Sequence, residues 1–461
     1  MPQPHKKEEQ GAELARDSAV VLTQDLVRIA SVTAIDAKDY PASQACLQLL
    51  ADKAREAGAR VEWLRYEGGH TKWPYPVDNL YIEWTFGTPE KHLCYMGHLD
   101  VVPPGDESKW SENPFSGTIR DGYLYGRGVT DMKGSVAAFF AAVQEAAPRL
   151  NESANLRIGM VVTMDEEWAA INGSRKVLEW MRDNNIAPHA FIVGEPSSQD
   201  VLGSHIKTGR RGSLCGTLKV TGVQGHAAYQ GAFENPNRAL ALAISILNTH
   251  RFEDGNENFP NTNFEAVAIT SGNFNASAVI PGNAEMLWNV RYTPAHTPDS
   301  LEAWVKSMLE NPPQWAKDHP DAHLLKQITV VANKDTASLP YYTQPASLAF
   351  AARAAVKSIT GIDAKFDGSG GTTDGRFAAH VFPQAEIIEL GLPERGGICC
   401  HHEKPADYLQ RGGMHQIDER ATLADLSNLK KIFQHVVMNY DSGQCAKIAA
   451  DTGTKQPHRH P

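Results

Sequence analysis

The sequence predicts an α/β fold: a mixed, largely parallel sheet with helices on both faces forms a catalytic domain, and a smaller α+β domain is inserted into it. Three observations predict it. Strand-like apolar runs alternate with helical patterns on both sides of the chain's middle. Three of those runs keep their first polar residues for the C-terminal end. Between about Gly212 and Lys326 the pattern changes to the period-two alternation of half-exposed antiparallel strands.

Composition bounds the partners. The chain has 461 residues, 42% hydrophobic and 21% charged, enough to build two or three domains with full cores. A formal net charge of −10 argues against nucleic acid or an anionic membrane as the main partner. No apolar run is long enough to span a bilayer, and the opening "MPQPHKKEEQGAELARD" has no hydrophobic signal core. The cysteines, Cys46, Cys94, Cys215, Cys399, Cys400 and Cys445, do not read as a disulfide framework in so long a chain, so a reducing, cytoplasmic setting is expected.

Taken in order, the polar segment to about Asp17 is expected to fray. "VVLTQDLVRIASV" reads as an amphipathic helix, and "YPASQACLQLLADKAREAG" as a second one stopped by Gly58. "LCYMGHLD" then delivers His98 and Asp100 to a strand end. "LRIGMVVTMDEE" delivers Asp165, Glu166 and Glu167, and "HAFIVGEP" delivers Glu195. In open α/β sheets that edge is where loops converge and ligands bind. Asp131 sits in "YGRGVTDMKGSVAAFFAAV", before a long apolar helix, where glycines let the backbone turn sharply.

The inserted domain reads as strands "RGSLCGTLKVTGV", "NFEAVAITSG" and "EMLWNVRYT", with helices "NPNRALALAISILNTH" and "SLEAWVKSMLE" beside them. The first layer resumes with "PASLAFAARAAVKSITG", a helix closed by Gly361. The expected boundaries are 1–211 and 327–440 for the catalytic domain, 212–326 for the insertion, and 441–461 for a disordered tail whose His458 and His460 suit only adventitious metal binding.

Singly, these polar residues have ordinary explanations: His-x-Asp is usually structural, an acidic run is usually a solvated turn, and Asp131 would be a helix N-cap. Together they fall at strand ends and helix starts of one sheet. If His98, Asp131, Glu167, Glu195 and a later histidine meet, imidazoles and carboxylates without thiolate suit Zn²⁺ in a hydrolytic role. Five donors exceed what one catalytic zinc takes, whereas two zincs sharing Asp131, about 3.5–4 Å apart, would use them all. If Glu167 points to the metal, Glu166 is free to act as general base and later as acid to a leaving amine. Asp100 is placed to hold the His98 ring from behind and fix its tautomer.

Seven motifs occur in order: "GHLDVVPPGD", "WSENPFSGTIRDGYLYGRGVTDMKGS", "DEEWAAINGSRKVLEWM", "VGEPSS", "IKTGRRGSL", "VTGVQGHAAY" and "GSGGTTDGRF". In these the chain resembles the M20 di-zinc metallopeptidases, and within them the succinyl-diaminopimelate desuccinylases, from near residue 20 to near residue 440. The resemblance implies two Zn²⁺ per subunit, with Co²⁺ as a substitute, held by His98, a bridging Asp131, Glu167, Glu195 and a C-terminal histidine, and Glu166 as the base. It implies a cis peptide after Asp131 and a homodimer in which the inserted domain dimerises and lids the active site. His226 would reach the partner subunit's active site to stabilise the oxyanion, with Tyr229 beside it. Arg210, Arg211 and Arg291 would clamp substrate carboxylates, and Gly371 and Thr372 would hold the succinyl end through backbone donors. The implied substrate is a small acylated amino acid, N-succinyl-LL-2,6-diaminopimelate of lysine and cell-wall biosynthesis. Deacylation of N-acetylornithine, carboxypeptidase-like or dipeptidase-like cleavage and a non-catalytic homologue are the competing readings.

The chain departs from the family pattern after "AEIIELGL", where "PERGGICCHHEKPADYLQRGGMHQIDER" intervenes before the last histidine. His415 matches the family's "HQ..E" context and is the expected ligand, with His401 and His402 in reserve. Cys399, Cys400, His401 and His402 are consecutive, and neighbouring side chains diverge in extended structure. Ala278 stands where relatives have an asparagine before "VIPG", with Asn275 three residues upstream, and Arg411 replaces another asparagine. Both positions help grip substrate in relatives.

Overall fold

Strands β1 (Arg60–Tyr66), β2 (Val77–Phe86), β3 (Lys91–His98), β4 (Leu156–Thr163), β5 (Ala190–Val193) and β6 (His205–Lys207) share one sheet with Glu386–Glu389 and Lys365–Asp367. The computed structural model describes residues 11–33, 40–68, 76–168, 170–395 and 412–440. The sheet order is β1, β2, β4, β3, β5, Glu386–Glu389, β6, Lys365–Asp367. Its centre is parallel, from β4 through β3 and β5 to Glu386–Glu389. β1 and β2 add antiparallel strands on one side. The centre is therefore parallel and the whole mixed, as the continuous apolar runs predict.

β3 is buried from His92 to His98, so both its faces are covered. Helix α1 (Ser18–Val27), capped by the Asp17 carboxylate accepting from the Ala19 amide, packs with α2 (Gly134–Ser153) and with helix Leu423–Tyr440. Tyr95 of β3 stacks on Phe139 of α2 at 4.4 Å and meets the edge of Phe433 at 5.9 Å. The chain is already helical at Gly11–Leu14, so the fraying expected as far as Asp17 stops short of it. The expectations placed on Cys399, Cys400, His401, His402, Arg411 and the tail 441–461 lie outside the described residues.

Contact density divides the chain into two units, the second comprising Gly209–Tyr342 and Gly368–Thr372. In it, Gly212–Thr221, Asn263–Ser271, Asn283–Tyr292 and Ile328–Ala332 make a four-stranded antiparallel sheet. Helices Pro236–Asn248 and Pro298–Glu310 pack with this sheet, and the strict in-out alternation of Asn283–Tyr292 records one covered face. The unit extends past the expected end at 326 because Ile328–Ala332 pairs beside Gly212–Thr221, and it begins at Gly209 because Arg210 pairs with Tyr341. Among the described residues no helix is long and apolar enough to cross a membrane.

One buried group in β3 predicts a pH dependence. His92 is 4% exposed, and its burial, with Arg157 and His189 nearby, holds the imidazole down from 6.5 to about 3. A depressed folded value means the stabilisation is complete above the unfolded value, 6.5, and is lost as pH falls through about 3. We expect Tm to fall as pH is lowered through that window, and the fall to be shallower in His92→Gln, as calorimetry across pH would show.

Candidate metal centre

Three strand ends and two loops converge in the first unit. β3 ends at His98, 1% exposed, whose Nε2 lies 3.1 Å from Asp131 Oδ1 and 3.8 Å from Glu195 Oε1. Its Nδ1 is 2.8 Å from the Asp100 backbone carbonyl and 3.6 Å from the Asp100 carboxylate. The ring is thus steadied mainly by a main-chain oxygen, whereas the sequence pointed to the carboxylate. That carboxylate, fully buried, instead accepts the Glu166 amide at 3.2–3.3 Å and the Glu167 amide at 3.1 Å. Two amide donors are what a buried anion needs. Asp100 therefore ties the turn after β4 to the end of β3.

The acidic run after β4 divides its labour. Asp165 accepts the amides of Ala170, Ile171 and Asn172 at 2.9–3.2 Å and closes the loop. Glu166 and Glu167 are left to face the cluster. Glu195 follows Gly194 at the end of β5, where an added Cβ would meet Tyr95 Oη at 1.8 Å. Because the Tyr95 ring is packed between Phe139 and Phe433, only glycine lets the chain pass there.

Asp131 lies in the turn Val129–Lys133 ahead of α2, and the Asp131–Met132 peptide is cis, as the resemblance implies. Gly128 begins the turn at φ 85°, where a Cβ would also meet Val101 Cγ1 at 2.4 Å. The two Asp131 oxygens face different imidazoles: Oδ1 faces His98, and Oδ2 lies 3.3 Å from His415 Nε2. His415 Nε2 is also 3.1 Å from Glu167 Oε1. Donor atoms of His98, Asp131 and Glu167 lie within 4.8 Å of one another, as do those of His98, Glu166 and Glu195.

The electrostatics suit a cation. Burial opposes a proton on His98, yet Asp131, Glu195 and Asp100 outweigh it and hold the imidazole well above its usual range. Hydrogen bonds to Asp131 and Glu167 raise His415 to about 10. Burial alone would push Asp131 up, but the two histidines hold it well below the carboxylate range. Burial, then Glu195 and Asp374, push Glu166 well up. Two imidazoles made strongly basic by surrounding carboxylates mark a steeply negative potential, the field that draws a divalent cation.

The remaining predicted residues belong to the second unit. Arg210, 4% exposed, donates from Nη1 to the Ser369 carbonyl at 2.9 Å, and a Cβ on Gly370 would lie 2.3 Å from that nitrogen. It thereby braces the loop holding Gly371 and Thr372. Arg211 Nη1 donates to Asn261 O and Asn263 Oδ1, each at 2.9 Å, and Arg291 stands opposite Ser213 and Asn263 in the sheet. His226 is exposed, with its ring 5.4 Å from that of Tyr229, and Ala278 lies beside it, accepting the Ala227 amide at 2.9 Å. Sequence reasoning assigned no role to Asp374, buried near Glu166, or to Glu419, which receives the amides around Asp131 and entered only as the last residue of the "HQ..E" context. The only available signals were an acid following "TT" in the glycine loop and the acid four places after His415.

A sheet edge that gathers two histidines and several buried carboxylates defines a metal-dependent hydrolase, and residues 94–409 match peptidase family M20/M25/M40. The chain belongs to that family and is a hydrolase acting on amide bonds. Over 422 residues it is 36% identical to a succinyl-diaminopimelate desuccinylase of Bradyrhizobium sp. strain BTAi1, covering 92% of this chain and 99% of that one. Human carnosine dipeptidase 1 shares the fold, with a TM-score of 0.69 at 17% identity over 96% of this chain and 99% of that one. So does the Bacillus subtilis YXEP protein, a dinuclear metal binding peptidase of the M20 family, with a TM-score of 0.59 at 14% identity over 92% and 98%.

Proposed function

We propose that this chain is a zinc-dependent hydrolase that cleaves N-succinyl-LL-2,6-diaminopimelate to succinate and LL-2,6-diaminopimelate, in the cytoplasm, as a step of lysine and cell-wall biosynthesis. The observation that carries it is the gathering of His98, Asp131, Glu167, Glu195 and His415 around Glu166 in a chain 36% identical to a desuccinylase along 92% of its length. The donor set fits a zinc pair: nitrogen and carboxylate oxygen only, with the two Asp131 oxygens directed to separate histidines. His98 and Glu195 would hold one ion, Glu167 and His415 the other, and Asp131 both.

When bound, the two zincs would supply Lewis acidity, polarising the scissile carbonyl and easing deprotonation of the attacking water. Glu166 takes that proton on its carboxylate and returns it to the departing amine, so that a neutral amine leaves. Asp100 keeps Glu166 in place through the amide it accepts. His226, with Tyr229 beside it, donates to the developing oxyanion in the partner subunit's site. Arg210, Arg211 and Arg291 supply positive charge for the substrate's carboxylates, and the loop at Gly371 and Thr372 supplies backbone donors for the succinyl end. A homodimer is supported by strand Asn263–Ser271, an edge of its sheet that leaves Val267 and Ile269 exposed.

A second reading is favoured by Ala278, which puts a methyl group where desuccinylases carry an amide. It is that of a sister deacylase. The zinc-loaded enzyme assayed on N-succinyl-LL-2,6-diaminopimelate and on N-acetylornithine separates the two. We expect kcat/KM to favour the succinyl substrate by about 10²-fold or more, since a site built for a carboxylate rejects an analogue lacking it. Turnover of N-acetylornithine alone would move the assignment to the sister activity.

A further inference from the structure

Glu419 lies four residues after His415 and is fully buried. Its carboxylate accepts four donors from another segment of the chain. Oε2 takes Arg127 Nη1 at 2.6 Å and the Gly128 amide at 3.1 Å; Oε1 takes the Thr130 amide at 2.9 Å and the Asp131 amide at 3.2 Å. Arg127, itself 2% exposed, stacks its guanidinium 5.2 Å from the Trp110 ring. The backbones are joined as well: the Gly126 amide donates to the Glu419 carbonyl at 2.9 Å, and Arg420 pairs antiparallel with Tyr125. One side chain thus spans the loop that presents Asp131 and the loop that presents His415, whose facing atoms lie 3.3 Å apart.

We infer that Glu419 is a positioning residue that holds the Asp131 and His415 loops in the register a shared metal pair requires. The inference rests on the metal reading proposed above. A carboxylate serving only as the counter-ion of Arg127 would need one contact. Three of the four donors here are instead main-chain amides of the turn that carries Asp131, so the carboxylate fixes where that turn lies. Asp418 anchors the same loop from the next position, accepting the Ser111 amide at 2.6 Å. The loop needs such anchoring because His415 and Asp418 both adopt left-handed backbone, at φ 60° and 57°.

Two variants test it. Glu419→Gln leaves one acceptor oxygen for four donors and turns an NH₂ group toward two of them. Glu419→Asp keeps both oxygens but withdraws them by one methylene. Each is titrated with Zn²⁺ after metal removal, followed by circular dichroism, and then assayed for kcat and KM on N-succinyl-LL-2,6-diaminopimelate. The expected result for Glu419→Gln is a folded protein with zinc affinity 10- to 100-fold weaker, a reduced kcat and a KM near that of wild type. Folded Glu419→Gln with wild-type zinc affinity and kcat would overturn the inference while leaving the metal reading intact. Failure of both variants to fold, with or without zinc, would make Glu419 a structural ion-pair residue and also overturn it. Wild-type protein that binds no zinc would overturn the metal reading first.

Discussion

Replacing Glu166 by glutamine is expected to leave the fold and the metal content intact and to lower kcat by about 10²- to 10⁴-fold, the range a general base contributes. The substitution is nearly isosteric and removes only the ability to take up a proton. Glu166 is held by its own amide, which donates to Asp100, so the variant should keep the loop in place. Its carboxyl group faces Glu195 and Asp374, and burial among them already opposes its charge, so the neutral amide relieves repulsion and the melting temperature should not fall. The alternative is specific. Glu166 lies close enough to His98 and Glu195 to serve as a ligand itself. If so, Glu166→Gln loses metal as well as rate, and elemental analysis of the purified variant decides between the two roles.

The sheet edge was legible because its strands are buried on both faces. Each apolar run announces itself, and the residue that breaks it, His98, Asp165 or Glu195, marks the exit to the ligand side. Asp131 was legible through the glycines that surround it. His415 emerged only from its local context, since the intervening insertion removes any fixed spacing from the strand Glu386–Glu389. What the supporting carboxylates hold was illegible for a physical reason. Asp165, Asp100 and Glu419 act by accepting main-chain amides, and a carboxylate that caps a backbone turn has the same sequence signature as one exposed to water. The extent of the inserted unit was misjudged because Ile328–Ala332 is a five-residue edge strand with a partly covered face, too short to establish a period before it ends.

The most complete loss should follow from Asp131→Ala. His98 and Glu195 approach each other at 3.8 Å and His415 and Glu167 at 3.1 Å, so each pair can offer an ion two ligands. On the proposed reading Asp131 would be the third ligand for both, since its two oxygens face separate histidines, and its removal would leave two incomplete sites rather than one intact and one damaged. Zinc bound per chain should therefore fall below one, and activity should drop by about 10⁴-fold or more, a loss available to any enzyme whose chemistry supplies at least about 10⁶-fold acceleration. The fold offers a second readout. At a hundredfold excess over Kd a bound ligand stabilises the native state by about 2.7 kcal/mol per site. Wild-type protein should show that gain as a higher melting temperature on adding Zn²⁺, and Asp131→Ala should show none of it. His415→Ala separates a bridging aspartate from a terminal one: with Asp131 in place the proposed His98 and Glu195 site would still be complete, so one zinc and part of the thermal shift should survive. Equal loss in the two variants would mean that the metals bind only as a pair, and equal retention would mean that Asp131 bridges nothing.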